Sequence, residues 1–137
     1  MRDKVFLDTN IFIYTQSFDE PRKRSISLNA LDCYECCVST QIFNEICNVM
    51  TKKLKMKTDE VKEIITAINA KCNVTSVDYG TVKKALDLKD RYGYSYYDSL
   101  VLASALESGC QKIFTEDMSN GQIIESVLQI VDVFQNQ

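Results

Sequence analysis

Histidine is absent from the 137-residue sequence, which also has only one proline and four glycines. Without histidine the chain cannot form a Ser-His-Asp triad, a Cys-His nucleophile, a histidine-ligated zinc site or an imidazole general base. Any catalysis must therefore come from carboxylates, bound metals, lysines, tyrosines or thiols. With Pro21 as the single proline, the chain has no linker, repeat or low-complexity segment, and we predict one domain over residues 1–137.

Long apolar runs and an excess of positive charge are missing as well. No stretch reaches the roughly 20 apolar residues of a transmembrane helix, and Asp8 interrupts the first apolar segment before it attains signal-peptide length. The formal net charge is −3, whereas proteins that hold nucleic acid mainly by bulk charge are usually basic. We therefore expect a cytosolic protein, in which any nucleic-acid binding depends on local basic patches.

Cysteine spacing does not indicate a zinc site or a disulfide framework. Of the six cysteines, only Cys33 and Cys36 have C-x-x-C spacing, and neither a second such pair nor a histidine accompanies them. Disulfides are also rare in cytosolic proteins. We expect free thiols that are buried or lie on helix faces.

Hydrophobic periodicity predicts alternating strands and helices. Short apolar runs indicate strands at 5–7, 37–39, 74–77, 112–115 and 130–134. Helical spacing indicates helices that start near Pro21 and cover about 41–55, 58–71, 78–91 and 96–108. Such alternation is typical of a parallel sheet covered by helices on both faces, in which the reactive crevice lies beyond the carboxyl ends of the strands.

Asp8 is the acidic residue that most requires an explanation. It lies between the apolar runs 5–7 and 11–14, at the end of the first predicted strand. Because burying a charge without a partner is costly, we expect Asp8 to have one.

Further acids fall near the same edge of the predicted sheet. Glu45 borders the apolar stripe of the helix after the second strand, and Asp98 lies in the first turn of a strongly apolar helix. Glu116 and Asp117 follow the fourth strand. Each also has an ordinary structural explanation. Asp98 can close a capping box with Ser95, Glu45 can be a solvated helix acid, and the remaining two can be loop or N-cap acids.

Convergence of these carboxylates would create strong repulsion. At about 5 Å, each pair of charges repels by roughly 3 kcal/mol at an effective dielectric near 20. Either some of the carboxylates take up protons or a cation binds among them. Ligation by oxygen alone favours Mg²⁺ or Mn²⁺ over zinc.

Four parts of the sequence resemble the PIN-domain family of metal-dependent nucleases, which includes VapC-type toxins. They are FLDTNIFIY at 6–14, Glu45 in its helix, YYDSLVLASALESGC at 96–110 and FTEDMSNGQ at 114–122. They occur in the order and at the spacings of the family, and the resemblance covers essentially the whole chain.

The resemblance implies a fold, a site and partners. The fold would be a three-layer α/β/α sandwich with a five-stranded parallel sheet, and the activity would be cleavage of RNA with Mg²⁺ or Mn²⁺. A toxin of this family would also form a homodimer and be blocked by an antitoxin in its acidic pocket. The implied metal-binding quartet is Asp8, Glu45, Asp98 and Asp117, with Glu116 as an additional acid and Thr9, Asn10 and Thr115 lining the pocket.

Two other functions fit part of the pattern. A haloacid-dehalogenase-like phosphatase also places an aspartate after its first strand, but its chemistry needs D-x-D, and here the second position is Asn10. A non-catalytic module would bind Mg²⁺ and cleave nothing.

Contacts to the substrate are not determined by the motifs. Basic clusters at 22–24 and 52–57 can be solvated helix faces or phosphate contacts. Four tyrosines near the third motif can pack in the core or stack on bases, namely Tyr92, Tyr94, Tyr96 and Tyr97.

Overall fold

The computed structural model describes residues 2–135. Within this range the strands are β1 Lys4–Leu7, β2 Glu35–Ser39, β3 Asn73–Thr75, β4 Lys112–Phe114, β5 Ile123–Ile124 and β6 Leu128–Val131. The helices are α1 Thr9–Thr15, α2 Pro21–Cys33, α3 Thr40–Lys52, α4 Thr58–Lys71, α5 Tyr79–Tyr92 and α6 Tyr96–Glu107. The strands form one sheet in the order β3-β2-β1-β4-β6-β5.

Helices cover both faces of this sheet. β1 connects to β2 through α1 and α2, β2 to β3 through α3 and α4, and β3 to β4 through α5 and α6. Crossovers between parallel strands are right-handed. Because the third crossover runs in the opposite direction along the sheet, α5 and α6 lie on the face opposite to α1–α4. The predicted three-layer α/β/α arrangement is therefore confirmed.

The strand order reverses beside β1. From β1 the chain moves to β2 and β3 on one side and then returns to β4 on the other side. The amide of Asp8 donates to the carbonyl of Phe114 at 3.1 Å, so the ends of β1 and β4 are level. In open parallel sheets, ligands bind beyond the carboxyl ends of the strands at such a reversal point.

The core explains why β1 and α6 are rich in apolar residues. Val5, Phe6 and Leu7 have no exposed surface, as expected for a central strand between two helical layers. In α6 every residue from Ser99 to Ala105 is buried, because this helix lies between the sheet and α5.

The five predicted strands are present and parallel, but the sheet has six strands within the described residues. β5 is a sixth strand that is only two residues long and pairs antiparallel with β6. Two residues are too few to show a periodicity. The connecting turn uses Glu125 and Ser126 at φ values of 52° and 63°, instead of the glycine or asparagine that usually marks such a hairpin. Ion pairs of Glu125 with Lys84 and Arg91 attach the turn to α5.

The remaining elements lie close to their predicted positions, apart from α1. This helix was not predicted, since Thr9 and Asn10 suggest a turn. Other differences are confined to element ends: β3 ends at Thr75 and α3 at Lys52, and β6 covers Leu128–Val131.

Two simpler expectations concern the thiols and membrane helices. All six cysteines are free thiols, of which four are buried, Cys47 is half-buried and Cys33 is exposed, and this agrees with the prediction. No helix between residues 2 and 135 combines the length and the apolar character that crossing a bilayer requires.

Candidate active site

A cavity of about 240 Å³ opens where β1 and β4 end, at the reversal point of the sheet. Six of the eight predicted site residues line it, although they come from four separate parts of the chain. They are Asp8, Thr9, Asn10, Glu45, Asp98 and Asp117.

Local capping positions these side chains. Asp8 is the N-cap of α1, and Ser39 caps α3 by accepting a hydrogen bond from the amide of Ile42. Ser95 accepts from the amide of Asp98 at 3.1 Å, which forms one half of the proposed capping box. The carboxylate of Asp98 lines the cavity. Asp98 therefore takes part in a helix cap and also lines the candidate site.

Asp8 is only 7% exposed, and both of its carboxylate oxygens accept hydrogen bonds. Its Oδ1 accepts from the amide of Thr9 at 2.8 Å, and its Oδ2 accepts from the hydroxyl of Thr115 at 2.8 Å. Burial raises the pKa of Asp8, these two hydrogen bonds oppose that rise, and repulsion from Asp117 and Asp98 adds to it.

Thr115 lies behind the cavity and supports two carboxylates. Its hydroxyl donates to Asp8 and accepts from the amide of Asp117 at 3.2 Å. It is 2% exposed, so it positions these acids without lining the cavity itself.

Glu45 and Asp117 also have raised pKa values. Burial, followed by repulsion from Asp8, raises the pKa of Glu45 to about 7. Burial and then repulsion from Glu116 and Asp98 raise the pKa of Asp117. The Oε2 of Glu45 is buried and has no hydrogen-bond partner within the described residues. Crowded negative charge is therefore a physical property of this cavity.

The donor set fits a hard divalent cation. It consists of carboxylate oxygens of like charge, with one buried Glu45 oxygen left without a donor. As the side chains stand, no three acidic or cysteine side chains in residues 2–135 are gathered closely enough to hold an ion. Binding would therefore require the carboxylates to move inward or to bind through water, as is common for Mg²⁺.

Glu116 lies beside the cavity and is engaged by other groups. Its carboxylate accepts from the ammonium of Lys23 at 3.1 Å and from the hydroxyl of Tyr14. The amide nitrogen of Asn10 lies 3.4 Å from oxygens of both Glu116 and Asp117, and so bridges them. In this structure the carboxylate of Glu116 is paired with Lys23. The role of Glu116 as an additional metal ligand, which the resemblance implied, stays a prediction.

Two substitutions test whether Glu116 stabilises the fold through its ion pair with Lys23 or is repelled by the neighbouring acids. Glu116→Gln is expected to lower the free energy of unfolding by about 1 kcal/mol, because it breaks a half-buried ion pair with Lys23. Asp117→Asn is expected to leave stability unchanged or to raise it, since it removes repulsion. Urea denaturation of both variants without metal measures this difference. A gain in stability from Glu116→Gln would instead place Glu116 among the crowded acids.

Four further residues line the cavity: Asn48, Val49, Tyr97 and Val101. Of these, the sequence had indicated Tyr97 alone, as one of four tyrosines that could stack on bases. Helical spacing could have found three of them. Asn48 and Val49 lie three and four positions after Glu45, and Val101 lies three positions after Asp98, which places each pair on one helix face.

Fold and cavity together define an α/β protein with a carboxylate-lined pocket at the reversal point of a parallel sheet. The model of the PIN domain family matches residues 5–119, and the chain belongs to this family. A comparison with curated protein sequences gives no match.

Solved structures with the same fold include proteins of toxin–antitoxin systems. A toxin–antitoxin complex from Klebsiella pneumoniae matches with a TM-score of 0.70 and 18% identity, over 94% of this chain and 97% of that one. Mycobacterium tuberculosis VapC20, a toxin that cleaves the sarcin-ricin loop, matches with a TM-score of 0.64 and 15% identity, over 82% and 91%. VapBC2 from Rickettsia felis, bound to a promoter DNA fragment, matches with a TM-score of 0.62 and 13% identity, over 94% and 99%. At these identities the similarity establishes the fold.

Proposed function

We propose that residues 1–137 form one nuclease domain that hydrolyses RNA with the help of Mg²⁺ or Mn²⁺. The observation that carries this proposal is the convergence of four carboxylates from distant segments in one cavity. Membership of the PIN domain family supports nuclease chemistry, and the fold shared with the RNA-cleaving toxin VapC20 favours RNA.

The carboxylates would divide the work according to their surroundings. Asp8 would be the central metal ligand, because it is held from both sides by Thr9 and Thr115. Asp98 and Asp117 would complete the ligand set, directly or through water. A divalent cation, when bound, would supply charge stabilisation at the phosphodiester and make water easier to deprotonate.

Glu45 would orient the attacking water and take up its proton, since its carboxylate lines the cavity and its buried Oε2 has no hydrogen-bond partner among the described residues. The water oxygen would bond to phosphorus while the bond from phosphorus to the 3′ oxygen breaks. The products would be a 5′ phosphate and a 3′ hydroxyl that takes its proton from solvent. Because the 2′ hydroxyl takes no part, the preference for RNA must come from contacts outside the reacting atoms.

Manganese-dependent cleavage of short RNAs by wild type and Asp98→Asn tests the proposal. We expect cleavage by wild type that EDTA abolishes, and a loss of at least about 100-fold in the variant, which lacks one charged ligand. Asp87→Asn, an exposed acid on α5, is the matched control and should cleave normally. Equal activity of wild type and Asp98→Asn would remove Asp98 from the site. Hydrolysis of p-nitrophenyl phosphate with no cleavage of RNA would support the phosphatase alternative instead.

We also propose that the chain pairs with an antitoxin protein. The structural neighbours from Klebsiella pneumoniae and Rickettsia felis support a partner of this kind. The carboxylates of the acidic cavity would attract a basic side chain of such a partner, which would then block the site. Co-purification with the product of a neighbouring gene, and loss of RNase activity in that complex, would test this. The homodimer is a separate prediction that light scattering can check.

A further inference from the structure

The structure separates the four tyrosines near the third motif. The hydroxyl of Tyr92 donates to Glu125 at 3.0 Å, and that of Tyr94 accepts from the amide of Ser119 at 3.0 Å. Tyr96 is half-buried against the core. Tyr97 is the one of the four that lines the acidic cavity in the described part of the chain, and it is 67% exposed. Of the exposed aromatic rings in the described chain, that of Tyr97 borders the acidic cavity, where a ligand could reach it.

The backbone and one edge of Tyr97 are fixed. The side-chain amide Nε2 of Gln41, at the start of α3, donates to the backbone carbonyl of Tyr97 at 3.3 Å. This bond links the two helices that enter the cavity from opposite faces of the sheet. The ring of Tyr96 meets that of Tyr97 edge to face, with centroids 5.3 Å apart and an interplanar angle of 68°. Tyr97 therefore presents an open, pre-positioned aromatic surface next to Asp98.

Charge alone cannot retain a nucleic acid in this cavity. Its described lining includes four carboxylates and no lysine or arginine. Lys23, beside it, is occupied by Glu116. A bound cation can attract the phosphate that is cut. The flanking nucleotides are repelled by the carboxylates, so they need a contact that does not depend on charge. Stacking of a base on an aromatic ring is such a contact.

We propose that Tyr97 stacks on a nucleobase next to the scissile phosphate. This inference rests on the proposed nuclease function and adds a particular substrate contact to it. Bases inside a duplex are already stacked on both faces, so only a base in a single strand, loop or bulge is free to cover the ring. Tyr97 thus acts as a specificity-determining substrate contact.

Fluorescence anisotropy with a labelled single-stranded RNA measures this contact. Tyr97→Ala is expected to weaken binding by about 5- to 100-fold, and Tyr97→Phe should bind like wild type, because stacking needs the ring and not the hydroxyl. Tyr79→Ala is the matched control: Tyr79 is 77% exposed on α5 but does not line the cavity. Thermal unfolding should show that all three variants fold. A duplex of the same sequence should bind more weakly than the single strand.

An RNA with one abasic position separates stacking from a structural role of Tyr97. Moving the abasic site along the strand should reveal one position where wild type loses affinity and Tyr97→Ala does not. Unchanged affinity of Tyr97→Ala, or equal binding of duplex and single strand, would overturn the stacking proposal whether or not RNA is cut. Tyr97-dependent binding by a wild type that cuts no RNA would overturn the nuclease proposal alone.

Discussion

Asp8→Asn is expected to reduce RNA cleavage by about 1,000-fold or more, because it removes the central charge from the proposed metal site. The loss should appear in kcat more than in KM, since Asp8 acts on the reacting phosphate and not on flanking nucleotides. Single-turnover cleavage with saturating Mn²⁺ measures this effect.

The same substitution is expected to leave the fold intact and to stabilise the metal-free protein. Asparagine has the shape of aspartate, and its carbonyl can accept the hydrogen bond that Thr9 now donates to Asp8. The hydroxyl of Thr115 can rotate to accept from the new amide. Burial and repulsion from Asp117 and Asp98 raise the pKa of Asp8, so removing its charge relieves an unfavourable contact.

Activity and stability should therefore move in opposite directions in Asp8→Asn. Asp87→Asn again serves as the control and should change neither. Full cleavage activity in Asp8→Asn would overturn the assignment of Asp8. A variant that is both inactive and unfolded would instead show that Asp8 serves the structure.

The metal-free protein is expected to lose stability as the pH rises from 5 to 7. The pKa of Glu45 is about 7 in the folded chain, against 4.5 as the usual value. Between these values the folded state binds more protons than the unfolded state, so the free energy of unfolding falls with rising pH. The full shift corresponds to about 3 kcal/mol, and partial solvent access reduces the expected loss to about 2 kcal/mol.

Other titrating groups act mainly outside this window or in the same direction. The pKa of Glu125 is lowered to about 2 by its bonds to Arg91, Lys84 and Tyr92, so its contribution changes below pH 4.5. Raised pKa values of Asp8 and Asp117 add to the effect of Glu45. Glu45 is therefore a major source of the slope between pH 5 and 7.

Urea denaturation at several pH values between 5 and 7, with EDTA present, measures this slope. Glu45→Gln should flatten it, because glutamine does not titrate. Saturating Mg²⁺ should reverse the slope in wild type, since metal binding favours deprotonated carboxylates. Equal slopes in wild type and Glu45→Gln would show that the raised pKa of Glu45 is not the source of this pH dependence.

Sequence reasoning reached the fold because most of its elements repeat a simple pattern. The apolar run of β1, the amphipathic α3 and the strongly apolar α6 each follow from the pattern of apolar side chains. β5 and α1 escaped prediction because neither depends on such spacing. β5 depends on a turn at Glu125 and Ser126 that is held by contacts with α5, and α1 begins at a capping Asp8 that could equally precede a turn.

The meeting of Asp8 and Asp117 could be predicted from the sequence because carboxyl ends of parallel strands lie at one edge of a sheet. Glu45 and Asp98 lie on helices, and their place in the implied quartet came from the family resemblance. The surroundings of each acid could not be derived in the same way. Lys23 and Glu116 are 93 positions apart, and no motif relates them. Which of the four tyrosines lines the cavity also could not be derived from the sequence. It depends on contacts between distant segments, such as those of Gln41 with Tyr97 and of Ser119 with Tyr94. Pairings of this kind are fixed by packing in three dimensions and not by local spacing.

Calorimetric titration of Mn²⁺ into the metal-free protein at pH 7 is the most direct test of whether a divalent ion relieves the crowding of these acids. We expect saturable binding with release of protons in wild type and Asp87→Asn, and affinity weakened at least about 10-fold in Asp8→Asn. Absence of binding to wild type, or equal affinity in Asp8→Asn, would contradict the proposal that the four carboxylates form a metal site.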